Sequence, residues 1–198
     1  MMNLDMARTE SVMIDLGTAA PPFALPNVLT GTSVGRDDVV AGKRGLLVMF
    51  VCPHCPYVQH VEAELGRIGR EYAGAAGDGP IGMVAIMSND VETYPQDGPE
   101  NMREQSQRNG WTFPYLLDET QGVARAYGAA CTPDFFLFDA QGKLVYRGQL
   151  DDSRPRDPEN TLPVTGRDLR AALDAVVLGK TPSPEQRTSL GCNIKWKE

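Results

Sequence analysis

"GLLVMFVCPHCPYVQHVEAELGRIGREY" spans residues 45–72, and its reading decides the fold. Gly45 to Val51 is a short apolar run with the length of a buried strand. From Tyr57 to Tyr72 the apolar residues Val58, Val61, Leu65, Ile68 and Tyr72 recur every three or four positions, which marks one face of a helix. A second apolar run, "PIGMVAIMS" (80–88), follows. Strand, helix, strand in this order predicts a right-handed parallel crossover. Cys52 and Cys55 therefore fall where a strand ends and a helix begins, the place where open α/β sheets put their chemistry.

Working outward, Asp97 to Gly110 reads as a polar surface helix, with Pro99 in its first turn and Gly110 as its stop. "ETQGVARAYG" (119–128) is a short helix ending at Gly128. Asp134 to Leu150 holds two apolar runs around Ala140, Gln141 and Gly142, a β-hairpin by its turn chemistry. "TGRDLRAALDAVVLGK" (165–180) predicts a helix with Thr165 as N-cap, a stripe of Leu169, Leu173, Val176 and Val177, and an end at Gly179. Asp151 to Pro163 reads as a polar loop in which Asp151, Asp152 and Arg154 are solvated and charge-paired, and Thr181 to Glu198 as an extended tail. The expectation is one α/β domain over residues 1–198, with an N-terminal extension and 181–198 as the tail.

The 198 residues are enough to bury a core without staples, and the composition is that of a globular chain. A net charge of −7 without a basic block disfavours nucleic-acid binding. No apolar run approaches the roughly 20 residues of a membrane span. The N-terminal stretch is acidic and lacks the apolar centre of a secretory signal, so no membrane partner and a cytoplasmic location are expected. Disulfides in that compartment are mostly transient chemistry. The four cysteines, Cys52, Cys55, Cys131 and Cys192, thus point to redox or metal use.

A helix N-terminus favours a thiolate, through its unpaired N–H groups and partial positive charge. Cys52 is the expected attacking thiolate, and Cys55, one turn in, the resolving thiol. Pro56 is tolerated in a first helical turn. His54, inside the loop, is expected to tune the Cys52 thiolate, whereas His60 reads as a helix-surface residue. Half a zinc site is the competing reading, but zinc normally needs two more Cys or His at close spacing and the remaining cysteines stand singly. No metal and no cofactor are expected. Trp111, Phe113 and Tyr115 read as core.

With "CPHC", a tetrapeptide shared with periplasmic disulfide oxidases, and "CTPDFFLFD" (131–139), the chain resembles the redoxin branch of the thioredoxin-like superfamily. The lead-in "APPFALPNVLTGTSVGRDDVVAGKRGLLVMFV" (20–51) resembles the redoxin N-terminal extension, and the likeness runs from about Ala20 to Lys197. The resemblance implies a thioredoxin-like three-layer sandwich. It implies that Pro133 is a cis proline facing the two cysteines, and that Thr132 offers its backbone to a bound substrate chain. It further implies thiol–disulfide exchange with disulfide-bearing or thiol substrates, an antioxidant setting, and electrons from a thioredoxin reductase or a low-molecular-weight thiol. Departures are visible: Val51 replaces the tryptophan usual in thioredoxins, "LLVMF" lacks their buried carboxylate, and Met49 stands where peroxiredoxins carry threonine or serine. A thiol peroxidase and a non-enzymatic metal-binding protein of the same fold remain alternatives. In this fold Cys131 lies near Cys52, either as a small buried side chain or as a third redox cysteine. Cys192 is either an incidental thiol or, if the tail folds back, the partner of Cys131.

Overall fold

The computed structural model describes residues 8–155 and 161–197. In chain order it contains β1 (Arg8–Glu10), β2 (Ala24–Pro26), β3 (Ser33–Gly35), α1 (Arg36–Val40), β4 (Gly45–Phe50), α2 (Pro56–Ile68), β5 (Ile81–Met87), α3 (Pro99–Asn109), β6 (Tyr115–Leu117) and α4 (Gly122–Tyr127). There follow β7 (Cys131–Thr132), β8 (Asp134–Asp139), β9 (Leu144–Gly148), α5 (Arg167–Val177) and β10 (Leu190–Asn193). The apolar run from Gly45 becomes β4, the middle of a five-stranded sheet of order β6-β5-β4-β8-β9. β4, β5 and β6 run parallel, β8 pairs antiparallel with β4, and β9 pairs antiparallel with β8.

Alternation along β4 divides the core into two layers. Leu47, Met49 and Val51 face Val58, Val61, Leu65 and Ile68 of α2, Met102 of α3, and Leu169 and Leu173 of α5. Leu46, Val48 and Phe50 face Phe23 and, on α4, Ala124 and Tyr127. Helices thus cover both faces of the sheet. Every residue of β4 and β5 is buried, which is why both read as unbroken apolar runs rather than alternating ones.

Two helices depart from their expected ends. α2 stops at Ile68 and continues as one π turn, Gly69–Ala73, that carries Tyr72 into the core. Phe113 packs so closely here that a side chain on Gly69 would meet it at 2.7 Å. α5 is capped by Gly166, in a left-handed conformation at φ 67°, and not by Thr165. The cause is Asp151, whose carboxylate accepts the Thr165 and Gly166 amides at 2.6 and 2.7 Å. Asp151 is therefore buried and structural, where the sequence suggested a solvated loop residue. Residues 156–160 of that loop lie outside the described residues.

The C-terminal tail also departs from expectation. Its residues Leu190–Asn193 form β10, the central strand of a small sheet of order β1-β10-β7.

Candidate active site

β4 ends at Phe50, and the chain turns through Cys52, Pro53 and His54 into α2, whose N-cap is Cys55 and whose first residue is Pro56. Both cysteines are free thiols and buried. The Thr132–Pro133 peptide bond is cis and lies against them. Cys52 Sγ sits 3.4 Å from the Thr132 hydroxyl, and Cys55 Sγ lies 3.1 Å from the Thr132 carbonyl oxygen. A third sulfur completes the cluster: Cys192 Sγ lies 2.8 Å from Cys55 Sγ.

The strand register explains this last contact. β10 pairs antiparallel with β7, setting Cys192 opposite Thr132 and Asn193 opposite Cys131. Directly opposed residues share a face and neighbours along a strand point apart. Cys192 therefore joins Thr132 and the active-site cysteines, while Cys131 points away and donates weakly to the Pro133 carbonyl oxygen at 3.6 Å. Of the two readings of Cys192, pairing with Cys131 is thus corrected: the tail folds back, but its cysteine meets Cys55. The same pairing occupies the Thr132 backbone that the resemblance assigned to a substrate chain.

His54 is fixed from two sides. Asp97 accepts its backbone amide at 3.0 Å and bonds its Nδ1 at 2.5 Å. Tyr94 stacks on the imidazole at 5.9 Å between centroids, with the planes only 9° apart. Asp97 is fully buried and also accepts from the Asn89 side-chain amide at 2.8 Å. Asn89 Oδ1 in turn accepts the backbone amide of Lys195 at 2.9 Å, which links the C-terminal segment to the imidazole. His60 sits one turn further along α2, hydrogen-bonded to Ser153 at 3.0 Å and away from the pair.

Residues 15–163 match the Redoxin family. The chain belongs to the redoxin family. Two solved structures resemble it over nearly their full length. An uncharacterized conserved protein from Geobacillus kaustophilus is 52% identical, with TM-score 0.89 over 98% of each chain. A hypothetical protein from Sinorhizobium meliloti 1021 is 44% identical, with TM-score 0.88 over 96% of this chain and 98% of that one. A putative thiol:disulfide interchange protein from Chlorobium tepidum shares the fold at 20% identity, with TM-score 0.58 over 83% and 99% of the two chains. Comparison with curated proteins finds no match. The fold is thioredoxin-like, shared with thiol–disulfide oxidoreductases, and the family supports a redox enzyme in general terms.

The electrostatics of this redoxin's pair invert one expectation. Burial pushes the Cys52 thiol well above its ordinary value, with Cys55 and the Asp97 carboxylate adding to it. Burial also opposes ionisation of Cys55. There, however, the Cys192, Cys52 and Thr132 groups turned toward it and the Val58 amide outweigh burial and hold it well below the ordinary thiol value. The three side-chain groups do most of this, and the Val58 amide of the first helical turn adds the smallest share. Cys131 is pushed up, first by burial and then by Asp134.

Sequence reasoning missed Asp97, Asn89 and Tyr94. Only their proximity in the fold reveals them, since 35 to 43 positions separate them from His54. The donor atoms of Cys52, His54 and Asp97 lie within 4.8 Å of one another, so the trio could hold a cation. A shallow polar groove beside the CPHC loop is lined by Pro53, His54, Gln59, Gln96, Asn101 and Arg108. No helix among the described residues is long and apolar enough to cross a membrane.

Proposed function

We propose that this redoxin is a thiol–disulfide oxidoreductase working in the cytoplasm with Cys52 as the attacking sulfur and Cys55 as the resolving one. The observation that carries this reading is the pair itself: two adjacent free thiols at a strand–helix junction, braced by Thr132. In the reducing direction the Cys52 thiolate attacks one sulfur of a partner disulfide, forming a mixed disulfide and releasing the other partner sulfur as a thiolate. Cys55 then attacks Cys52 Sγ, closing the Cys52–Cys55 disulfide and releasing the second partner thiol. Two electrons pass from the pair to the partner. A low-molecular-weight thiol or a thioredoxin reductase returns them.

Cys55 is enclosed by Cys192 and Thr132, whereas Cys52, itself only 1% exposed, adjoins the partly exposed His54 that borders the groove, so a partner reaches Cys52 first. His54, held by Asp97, supplies a proton donor and acceptor beside it. Because β10 occupies the Thr132 backbone, the partner approaches over the polar groove and not by strand pairing along β7. In a glutathione-coupled assay on a model disulfide, Cys52→Ser should fall to the uncatalysed background. Cys55→Ser should accumulate a mixed disulfide on Cys52. Full activity in Cys52→Ser would defeat the reading.

One observation favours a second reading, the cluster of Cys52, His54 and Asp97. Zinc would take these ligands plus a water, a set with one thiolate, one imidazole and one carboxylate. Stoichiometric zinc by elemental analysis of the purified chain, lost in Asp97→Ala, would move metal binding ahead of exchange.

A further inference from the structure

We propose that Cys192 is a third redox cysteine of this redoxin, which exchanges with Cys52 for the disulfide at Cys55. The proposal rests on the exchange reading of Cys52 and Cys55 and extends it to the C-terminal strand.

Three features carry it. First, the sulfurs are already together, with Cys192 Sγ 2.8 Å from Cys55 Sγ, and Cys52 is the other neighbour of Cys55. Second, the contact is built by the backbone. Gly191 lets β10 approach β7 so closely that a Cβ there would lie 2.0 Å from the Thr132 carbonyl oxygen. The Ile194 amide donates to the Ala130 carbonyl at 3.1 Å, and β1 closes the other edge of β10. Third, Cys52, Cys55 and Cys192 are all buried free thiols, so a disulfide made at Cys52 can pass to Cys192 within the protein.

The step is an isomerisation. Cys192 gives up its proton and attacks Cys55 Sγ of the Cys52–Cys55 disulfide. A Cys55–Cys192 bond forms, the Cys52–Cys55 bond breaks, and the electron pair leaves on Cys52, which takes a proton. No outside oxidant or reductant is consumed. The oxidised protein then holds its disulfide between β10 and the start of α2, and Cys52 is again a free nucleophile.

The test is a disulfide map of the full chain. The protein is oxidised in glutathione buffer to one disulfide per chain, alkylated under denaturing acid quench, digested and analysed by mass spectrometry. The proposal predicts two species in the wild type, Cys52–Cys55 and Cys55–Cys192. In Cys192→Ala the alkylated Cys52 of the oxidised fraction should disappear, and in Cys52→Ala no Cys55–Cys192 peptide should form, because the exchange starts from the Cys52–Cys55 bond. A wild type showing only Cys52–Cys55, with Cys192 alkylated throughout, overturns the proposal and leaves the exchange reading standing. So does a Cys131–Cys192 peptide. A wild type in which Cys52 never enters a disulfide defeats the exchange reading itself, a different result.

Discussion

Asp97 is the residue that ties the CPHC loop to the rest of the site. It holds the His54 ring and backbone, and its carboxylate adds to the burial that keeps Cys52 protonated. A thiol raised in this way ionises only on the alkaline side. We therefore expect the rate of Cys52 alkylation in the reduced protein to be still climbing at about pH 9, where an ordinary thiol of pKa about 8.5 is mostly ionised. Asp97→Asn removes the opposing charge, so the profile should shift to lower pH and Cys52 should react faster at pH 7. An Asp97→Asn profile that coincides with the wild type's would show that the carboxylate does not act on Cys52. Cys52, Cys55 and His54 are legible in the sequence because two residues of spacing declare them. Asp97 is not, since an aspartate just before a helix looks like any other first-turn acid.

At the scale of elements, β10 is the piece that makes this site unlike a bare strand–helix junction. It is held on one edge by β1 and on the other by β7, and it places Cys192 by register. Gly191→Ala should force β10 away from Thr132, because the added carbon meets backbone that cannot rotate aside. Overpacking of this kind costs about 1–3 kcal/mol. The expected outcome in chemical denaturation is a loss of that size, with Cys192 becoming quickly alkylated in the folded protein. Unchanged stability and a protected Cys192 would mean that the strand is not seated as described. The helices and the long strands were readable from periodicity. β10 was not, because four residues with half their side chains small carry little pattern, and its partners lie about 60 and 180 positions away. Thr165 failed as an N-cap for a related reason: the group that satisfies the helix start is Asp151, brought in by the fold.

Across the whole molecule, the two-layer core follows from the sequence, but one buried charge cuts against it. Asp134 opens β8 on the Phe136 and Phe138 side of the sheet, opposite the cysteines. It is fully buried; Oδ2 accepts the Ala130 amide at 3.3 Å, and Oδ1 has no hydrogen-bond partner among the described residues. Burial pushes its carboxyl up to about 8, despite backbone donors that oppose the shift. In the unfolded chain an aspartate titrates near 3.9. Between these values the folded state holds a proton that the unfolded state has lost, so stability falls as pH rises from about 4 to about 8, by up to about 1.4 kcal/mol per pH unit. Asp134→Asn should flatten that slope and be more stable than the wild type at pH 8. Parallel slopes for the two proteins from pH 5 to 8 would contradict it.

The central claim is that Cys52 and Cys55 form a working redox pair. Its most direct test is the reduction potential of that couple in graded glutathione buffers, with every cysteine trapped and mapped, in a Cys192→Ala chain that leaves Cys55 one neighbouring partner. The account predicts an intramolecular Cys52–Cys55 disulfide with a midpoint between about −270 and about −120 mV, the span of thiol–disulfide oxidoreductases. If both cysteines stay free thiols across the whole range of buffers, the pair does not trade electrons and the account fails.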